Sequence, residues 1–529
     1  MKTLSALPLL CAAALTACSG QPDIEVESSA YAEVTRTGYF EGLDDSLDWR
    51  TARVSGAAAR RDLLVVDSLM KNRYAYNDAD QLDETAMLQS VSDALPDEVS
   101  AGDFAMILQK ALALSIDGHA PRVAGLLQGG ERERIEDNPP GRHYLPFELR
   151  STGSRIVAFD AQNRTLIEPD HPYLAAIDGL EVSEWIDAAQ SIVVAGSPQL
   201  RWNRGSWHLA NLGFLRMELR RPAIGTATLV FENEAGDQII EREIALVDAS
   251  VSVEDRYPFA EDAAPRVPSD IAYFRLRRME SDPEYIAGFA DWIQRSRTAR
   301  GAIIDIRDNG GGSRLPLITL LPHILAPDAA PVVANAGRLK LPAGCPGPGC
   351  ETPDRGYLAD RFMLPLDAFP VGTPERDALD AWLPSFEPSW SPPDEGFSEW
   401  HYLVVAPDPD PVFAGKPVVV LMNNSNFSAS DIFLSAMKSQ GEVLLLGTAS
   451  SGGSARQQEY VLPNTGLAIR LASLASFQTR SGELYDGVGI QPDIEMFAEP
   501  GFFVNQSDDV IDRAIERIRS AAADGPQSR

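Results

Sequence analysis

Lysine, cysteine and long apolar runs are all scarce in this chain. Its 529 residues include only six lysines, against forty arginines, and four cysteines. Four cysteines are too few to staple a chain of this length, so it must bury ordinary hydrophobic cores, in roughly two to four domains. Basic side chains are also outnumbered, 46 against 76 acidic ones, which gives a net charge of -30. Such a charge repels phosphate backbones and anionic membrane surfaces, so nucleic acid is excluded as a partner.

The N-terminus has the features of an export signal. Lys2 precedes an apolar stretch from Leu4 to Leu15, which is too short to cross a bilayer as a helix. The segment Leu15-Thr16-Ala17-Cys18 resembles a bacterial lipobox. The resemblance implies that residues 1–17 are a lipoprotein signal peptide, cleaved before a Cys18 that carries the lipid.

The residue after the lipobox bears on the compartment. Ser19 stands where an aspartate would resemble an inner-membrane retention signal, so the resemblance favours the outer membrane. Residues 18–57 are polar and lack a long apolar period, as a tether would. We expect an exported protein, lipid-anchored on the periplasmic face of the outer membrane. The alternative is an ordinary signal with an incidental cysteine.

The remaining cysteine pair lies in a Pro/Gly turn. Cys345 and Cys350 enclose the sequence PGPG, and in an oxidising periplasm such a pair most simply forms a local disulfide. A metal site would need more ligands than these two thiols, and no histidine lies nearby in sequence. We therefore expect neither a metal site nor a cofactor.

Composition shifts divide the rest of the chain. Residues 58–137 have the apolar spacing of helices, and Pro139-Pro140 lies just beyond this N-terminal helical region. Residues 138–250 are mostly short alternating strands, with an Asp178-Gly179 turn that resembles the hairpin of PDZ domains. Residues 251–500 alternate strands and helices, interrupted by a Pro- and Asp-rich insertion at 327–412, either a lid or a family-specific decoration. Residues 501–529 predict one docked amphipathic helix.

Two strand-to-turn segments have the features of a catalytic site. A buried strand at Ala302–Ile306 leads into Gly310-Gly311-Gly312, whose backbone N–H groups can point at a ligand. A second strand, Val418–Met422, leads to Ser428-Ala429-Ser430-Asp431 at the start of a helix. This pattern is typical of a helix N-cap, yet it also places a hydroxyl beside a positive helix end, as in serine nucleophile elbows.

Four segments taken in order resemble the C-terminal processing (tail-specific) serine peptidases and their tricorn-like and retinoid-binding-protein-like relatives. They read GAIIDIRDNGGGS, VVVLMNNSNFSASDIFLSAM, LLLGTASSGG and DGVGIQPDI. The resemblance implies an α/β fold: a crotonase/ClpP-like ββα spiral catalytic domain with an N-terminal helical region and a PDZ-like mostly-β domain. It implies Ser428 as the nucleophile, with oxyanion N–H groups from Gly311, Gly312 and Ala429.

The shortage of lysine decides which branch of the family fits. Where tail-specific peptidases carry a lysine base, this chain has Gly453, and no lysine follows Lys438. Arginine cannot deprotonate near neutral pH, so it cannot replace that base. The tricorn-like branch instead uses a histidine and an acid, which implies His119 as base and Asp486 as the group that orients it.

These residues predict a lipid-anchored serine endopeptidase that acts on polypeptides through an acyl-enzyme. The alternative is a catalytically inactive peptidase fold that binds peptides or apolar ligands, favoured by the missing lysine and the tryptophans of the insertion. The spatial relation of His119 to Ser428 separates the two, because a base must reach the proton that it removes. A crotonase-type acyl-CoA enzyme shares the spiral fold, but export argues against it.

Overall fold

The structure is a computed structural model of the chain. It describes residues 35–40, 48–79, 82–119, 122–127, 130–194, 196–249, 267–342, 354–438 and 440–524. The predicted signal peptide, the lipidation site Cys18, most of the tether and the predicted Cys345–Cys350 disulfide lie outside the described residues. Among the described residues, no helix is long and apolar enough to cross a membrane.

The described part of the N-terminal region contains three α-helices. Its helices are Gly56–Arg73, Glu84–Ala94 and Ala101–Leu112, and two short strands, Arg53–Ser55 and Glu98–Ser100, pair antiparallel. The side-chain oxygens of Ser55, Asp83 and Ser100 accept backbone N–H groups at the starts of the three helices. Every residue of the third helix is buried, so this helix forms the centre of the region's core.

An antiparallel sheet joins the end of this region to the C-terminal half of the chain. The strands Arg122–Leu126 and Arg132–Arg134 follow the helices, and Gln457–Val461 and Ala468–Ala472 complete the sheet. Ile469 pairs with Val123. We call this the joint sheet. It fixes the segment that ends at His119, just before the first of these strands, against residues from more than 300 positions later.

The middle region contains the predicted β structure together with helices that the sequence did not predict. Its main strands are Glu148–Thr152, Arg155–Asp160, Tyr173–Ile177, Thr226–Glu232 and Ile239–Ala245, with the short strands Thr165–Leu166 and Leu180–Glu181 at the side. Asp178 and Gly179 both have positive φ and close the predicted hairpin. The additional helices are Val182–Ala189, Pro198–His208 and Leu212–Glu218.

A parallel sheet forms the centre of the last region. Its strands, in spatial order, are Ala272–Arg275, Ala302–Asp305, Val418–Met422, Val443–Gly447 and Ile494–Glu495. The helices Pro283–Arg295, Leu315–Leu320 and Ala429–Lys438 pack on one face, and the terminal helix Asp509–Asp524 packs on the other, after a short helix at Pro500–Phe503. Both faces are covered, which explains why the strands read as continuous apolar runs.

The predicted insertion at 327–412 contains more regular structure than its composition indicates. Its ends are strands, Val332–Leu339 and His401–Val405, which form a sheet with Leu364–Pro365 and with Leu474–Phe477 from well beyond it. Two helices, Asp354–Ala359 and Pro374–Trp382, lie between them. Its aromatic side chains pack on Phe477. The described parts of the segment are therefore built into the region's core, which favours a family-specific decoration over a lid.

Candidate active site

Ser428 lies at a strained turn between a strand and a helix. The strand Val418–Met422 is buried in the parallel sheet, and the helix Ala429–Lys438 begins at the next residue after Ser428. Ser428 has a φ of 62°, a left-handed conformation that a non-glycine residue rarely adopts. The Asn426 side chain fixes the loop, because it accepts the N–H of Asn423 at 2.7 Å and donates to the carbonyl of Ile306. This geometry turns the Ser428 side chain outward at the sheet edge, as in a nucleophile elbow.

The imidazole of His119 contacts the serine directly. Its Nε2 lies 3.0 Å from Ser428 Oγ, although the two residues are 309 positions apart. The Asp117 carboxylate accepts the backbone N–H of His119 at 2.7 Å. The Phe427 ring stacks on the imidazole with a centroid separation of 4.8 Å. The base and nucleophile predicted from sequence are thus within hydrogen-bond reach of each other.

The surroundings keep this histidine neutral. Burial, together with the positive charges of Arg122, Arg204, Arg314 and Arg361, lowers the pKa of His119 to about 3. A neutral imidazole can accept a proton through whichever ring nitrogen lacks one. The chemistry at Ser428 therefore depends on the tautomer.

Gln457, at the start of a joint-sheet strand, holds the second nitrogen of this histidine. Its Nε2 lies 2.9 Å from His119 Nδ1 and 2.6 Å from the backbone oxygen of His119. A carbonyl oxygen only accepts, so the Gln457 atom that faces it must be the amide NH₂. The same NH₂ then donates to Nδ1, which places the imidazole proton on Nε2. In this resting arrangement His119 donates to Ser428 rather than accepting its proton.

Asp486 does not make the contact that the sequence predicted. Its Oδ2 accepts the Tyr76 hydroxyl at 2.7 Å and the Ser454 N–H at 3.1 Å. In the described part of the chain, no hydrogen bond joins it to His119. The aspartate is one methylene shorter than the glutamate expected there, and Gln457 occupies the position beside Nδ1. This corrects the expectation that Asp486 orients the imidazole.

Two buried carboxylates lie behind the nucleophile loop. Burial raises the pKa of Asp486 to about 6, although hydrogen bonds from Tyr76 and Ser454 oppose the shift. Burial also raises the pKa of Asp431 well above its ordinary value, and the charge of Asp486 adds to the shift. Asp431 Oδ1 accepts the Ser450 hydroxyl at 2.5 Å. Asp431 thus anchors the loop that contains Ser450, and the Ser428 backbone N–H also hydrogen-bonds to its carboxylate.

The predicted oxyanion donors surround the serine. A Cβ at Gly311 would lie 2.7 Å from Ser428 Cβ and 2.9 Å from the Ala429 nitrogen, so only glycine fits here. The Gly311 N–H donates to Asn309 Oδ1 at 3.0 Å. Within the described residues, the N–H groups of Gly312 and Ala429 have no hydrogen-bond acceptor. These two are the donors left for a developing oxyanion.

The position of the family lysine has no room for a side chain. A Cβ at Gly453 would lie 2.4 Å from the Phe427 ring and 3.2 Å from Asp486 Oδ1. Phe427, which stacks on His119, therefore fills the space that a lysine would need. The structure supplies a steric reason for the absence of the lysine.

The sequence did not indicate Gln457, Phe427 or Tyr76 as site residues. Gln457 belongs to an ordinary strand, QQEYV, and Tyr76 follows the first helix without a motif. Phe427 was quoted within the nucleophile segment, but its stacking on His119 depends on tertiary structure. The one usable signal was position, since Phe427 directly precedes Ser428.

Known proteins match this chain in sequence and in fold. The model of peptidase family S41 matches residues 270–496. A carboxy-terminal-processing protease of Bartonella bacilliformis is 38% identical over 79 residues, which are 15% of this chain and 18% of that protein. A carboxyl-terminal-processing protease of Picosynechococcus sp. is 28% identical over 145 residues, 27% of this chain and 33% of that protein. The matches thus span a third or less of these two curated relatives.

A solved structure extends the similarity of fold over most of the chain. The crystal structure of mature CPAF superposes with a TM-score of 0.60 at 18% identity, covering 89% of this chain and 98% of that one. The predicted α/β fold class is therefore confirmed. The predicted resemblance to the C-terminal processing serine peptidases is confirmed as well, since residues 270–496 match peptidase family S41 and carboxyl-terminal-processing proteases are among the relatives.

Proposed function

We propose that this protein is a serine endopeptidase that cleaves polypeptides through an acyl-enzyme on Ser428. The observation that carries the proposal is the 3.0 Å contact between His119 Nε2 and Ser428 Oγ at a strained turn. The binding-protein alternative required a histidine beyond hydrogen-bond reach, so this contact favours the peptidase. A carboxyl-terminal-processing relative with 28% identity supports a polypeptide substrate.

The geometry supports a two-step reaction. His119 Nε2 takes the Ser428 proton as Oγ attacks the scissile carbonyl, and the N–H groups of Gly312 and Ala429 stabilise the oxyanion. The imidazolium then protonates the leaving amine, and water hydrolyses the acyl-enzyme by the reverse sequence. In the first step, Nε2 of His119 must be unprotonated so that it can accept the serine proton. The Gln457 amide must therefore turn its oxygen toward Nδ1–H in the productive state, giving up its bond to the His119 carbonyl.

The proposal includes the compartment. The basic start, the short apolar stretch and the lipobox-like segment ending at Cys18 support export and lipid anchoring at the outer membrane. Radiolabelled palmitate incorporation into the full chain expressed in a bacterium, lost in Cys18→Ala, is the expected result. Equal labelling of both proteins would contradict the anchor and leave the peptidase proposal intact.

Hydrolysis of fluorescein-labelled casein tests the activity. We expect release of small fluorescent peptides by the full chain and loss of at least about 10³-fold of the rate in Ser428→Ala, the scale reported for single triad removals. Ser92→Ala is the matched control, because Ser92 lies in a helix of the N-terminal region far from the site in sequence. Equal rates for wild type and Ser428→Ala would overturn the proposal.

A further inference from the structure

A large cavity opens beside the nucleophile loop. It has a volume of about 690 Å³ and is lined by the nucleophile loop, the glycine turn, the middle region and the end of the joint sheet. Phe427 and Gly310 contribute to its wall; Phe427 directly precedes Ser428, and Gly310 begins the glycine turn that contains Gly312. A polypeptide lying across Ser428 would therefore pass through this cavity.

The cavity wall contains four arginines, and three of them have an acidic partner. Arg122 lies 3.6 Å from Glu136, Arg134 lies 2.5 Å from Asp137, and Arg150 lies 2.9 Å from Glu148. The three acids line the same cavity. Within each pair the two charges neutralise each other, so the three pairs present no net charge to a ligand.

The fourth arginine, Arg204, has no acidic partner within 4.0 Å among the described residues. It lies on the helix Pro198–His208, and only 8% of its surface is exposed. Its Nη1 donates to the Gly118 carbonyl at 3.2 Å, and its guanidinium lies 5.1 Å from the centroid of the Phe427 ring. Gly118 and Phe427 directly precede His119 and Ser428. The Arg204 cation thus lies beside the reacting groups.

The charge around Arg204 is unbalanced. Burial, together with the nearby Arg122, lowers the pKa of Arg204 to about 10, although Glu136 opposes the shift. Glu136 already pairs with Arg122. A desolvated cation without a counter-charge is unfavourable, and an anion that enters the cavity offsets that cost. A guanidinium also presents a planar fork of donors that matches a carboxylate.

We propose that Arg204 binds a carboxylate of the substrate close to the scissile bond, so that the enzyme prefers polypeptides with an acidic group there. This inference rests on the proposed peptidase function and specifies its substrate class. The carboxylate can belong to an Asp or Glu side chain or to a free C-terminus. Both present the same chemistry to Arg204, and they require different peptides to tell them apart.

The first arm of the test maps side-chain preference with the full chain. Peptide libraries amidated at the C-terminus are digested, and cleavage sites are read by mass spectrometry. We expect Asp and Glu to be enriched at one position within three residues of the cleaved bond. Arg204→Gln should abolish the enrichment, Arg204→Lys should retain part of it, and Arg204→Glu should favour Lys and Arg instead.

The second arm tests the terminal carboxylate. Peptides without acidic side chains are compared with a free and with an amidated C-terminus. A preference for the free acid that disappears in Arg204→Gln assigns the carboxylate to the terminus and supports the proposal equally. For the preferred peptide we expect kcat/KM to fall about 10- to 100-fold in Arg204→Gln, the scale of a hydrogen bond to a charged group. Its uncharged amide analogue should change less than about twofold.

Two controls keep the outcomes separate. Arg201→Gln removes an arginine from the same helix without touching the cavity wall, and it should keep the wild-type preference. Labelling of Ser428 by a fluorophosphonate shows that each variant has folded. Cleavage without an acidic preference in either arm would overturn the carboxylate proposal and leave the peptidase function standing. No cleavage and no labelling by wild type would overturn both.

Discussion

Replacing Gln457 by glutamate tests whether residue 457 determines which ring nitrogen of His119 carries the proton. The Gln457 amide donates to His119 Nδ1 and thereby places the ring proton on Nε2, facing Ser428. A carboxylate at residue 457 can only accept, so Gln457→Glu should place the proton on Nδ1 and leave Nε2 bare for the serine proton. It should also stabilise the imidazolium that forms during the reaction.

The structure sets the size of the effect. A carboxylate about 3 Å from the ring attracts an imidazolium by roughly 5 kcal/mol at an effective dielectric constant of about 20. That energy corresponds to about 4 pKa units, part of which is offset by burying the new charge. The pKa of His119, now lowered to about 3 by burial and the arginines around it, should therefore rise to between about 5 and 7.

The rate constant for fluorophosphonate labelling of Ser428, measured from pH 4 to 9, reports both effects. At pH 8 we expect Gln457→Glu to react at least about tenfold faster than wild type, since a wrong tautomer costs as much as about 10⁴ in a Ser-His-Asp enzyme. Its acidic limb should move upward with the pKa of His119. Gln458→Glu is the matched control, because neighbouring residues of a strand point to opposite faces.

The reasoning would be refuted by Gln457→Glu reacting more slowly than wild type with an unmoved acidic limb. Gln457→Leu separates charge from orientation. It removes both hydrogen bonds without imposing a tautomer, so its rate should lie below that of Gln457→Glu and its acidic limb should stay low. If Gln457→Leu matched Gln457→Glu at every pH, the carboxylate would have no role.

Three further predictions follow from the same contacts. Gly453→Lys should not restore a Ser/Lys dyad, because its Cβ would lie 2.4 Å from the Phe427 ring; we expect a loss of about 1 to 3 kcal/mol in urea unfolding and no casein hydrolysis in the His119→Ala background. Labelling of wild-type Ser428 should be flat from pH 7.5 to 5.5, since burial lowers the pKa of His119 to about 3, and a midpoint near 6.5 would contradict that environment. Burial raises the pKa of Asp486 to about 6, so the folded state holds this proton more tightly than the unfolded state and loses stability as pH rises toward 6. Asp486→Asn should therefore raise the free energy of unfolding in urea at pH 8 by up to about 3 kcal/mol, and by much less at pH 4; an equal effect at both pH values would refute the shift.

The positions of Ser428 and His119 could be predicted because each lies in a segment, between regular elements, that resembles the C-terminal processing peptidases. Ser428 follows a continuous apolar strand and precedes an amphipathic helix, and His119 follows a helix with clear apolar spacing. The spacing shows where such segments begin and end. It does not show how far a side chain reaches, so the sequence assigned to Asp486 a contact that Gln457 makes instead.

The missed elements share a physical cause. The helix Pro198–His208 buries Asn203, Arg204 and Ser206 in place of an apolar stripe, so hydrophobic periodicity could not detect it. The insertion was left open between a lid and a decoration, because its Pro- and Asp-rich composition does not reveal that its first strand, Val332–Leu339, pairs with Leu474–Phe477. In both cases the stabilising contacts are long-range. Local sequence patterns do not indicate such long-range contacts.

Active-site labelling of three proteins tests the central claim most directly. Wild type, Ser428→Ala and His119→Ala, each as the full chain with matching circular dichroism, are treated with a fluorophosphonate, and the modified peptide is identified by mass spectrometry. We predict an adduct on Ser428 in wild type, none in Ser428→Ala, and labelling of His119→Ala slowed by at least about 10³-fold. An adduct that survives Ser428→Ala, or a folded wild type that takes up no label, would contradict the account.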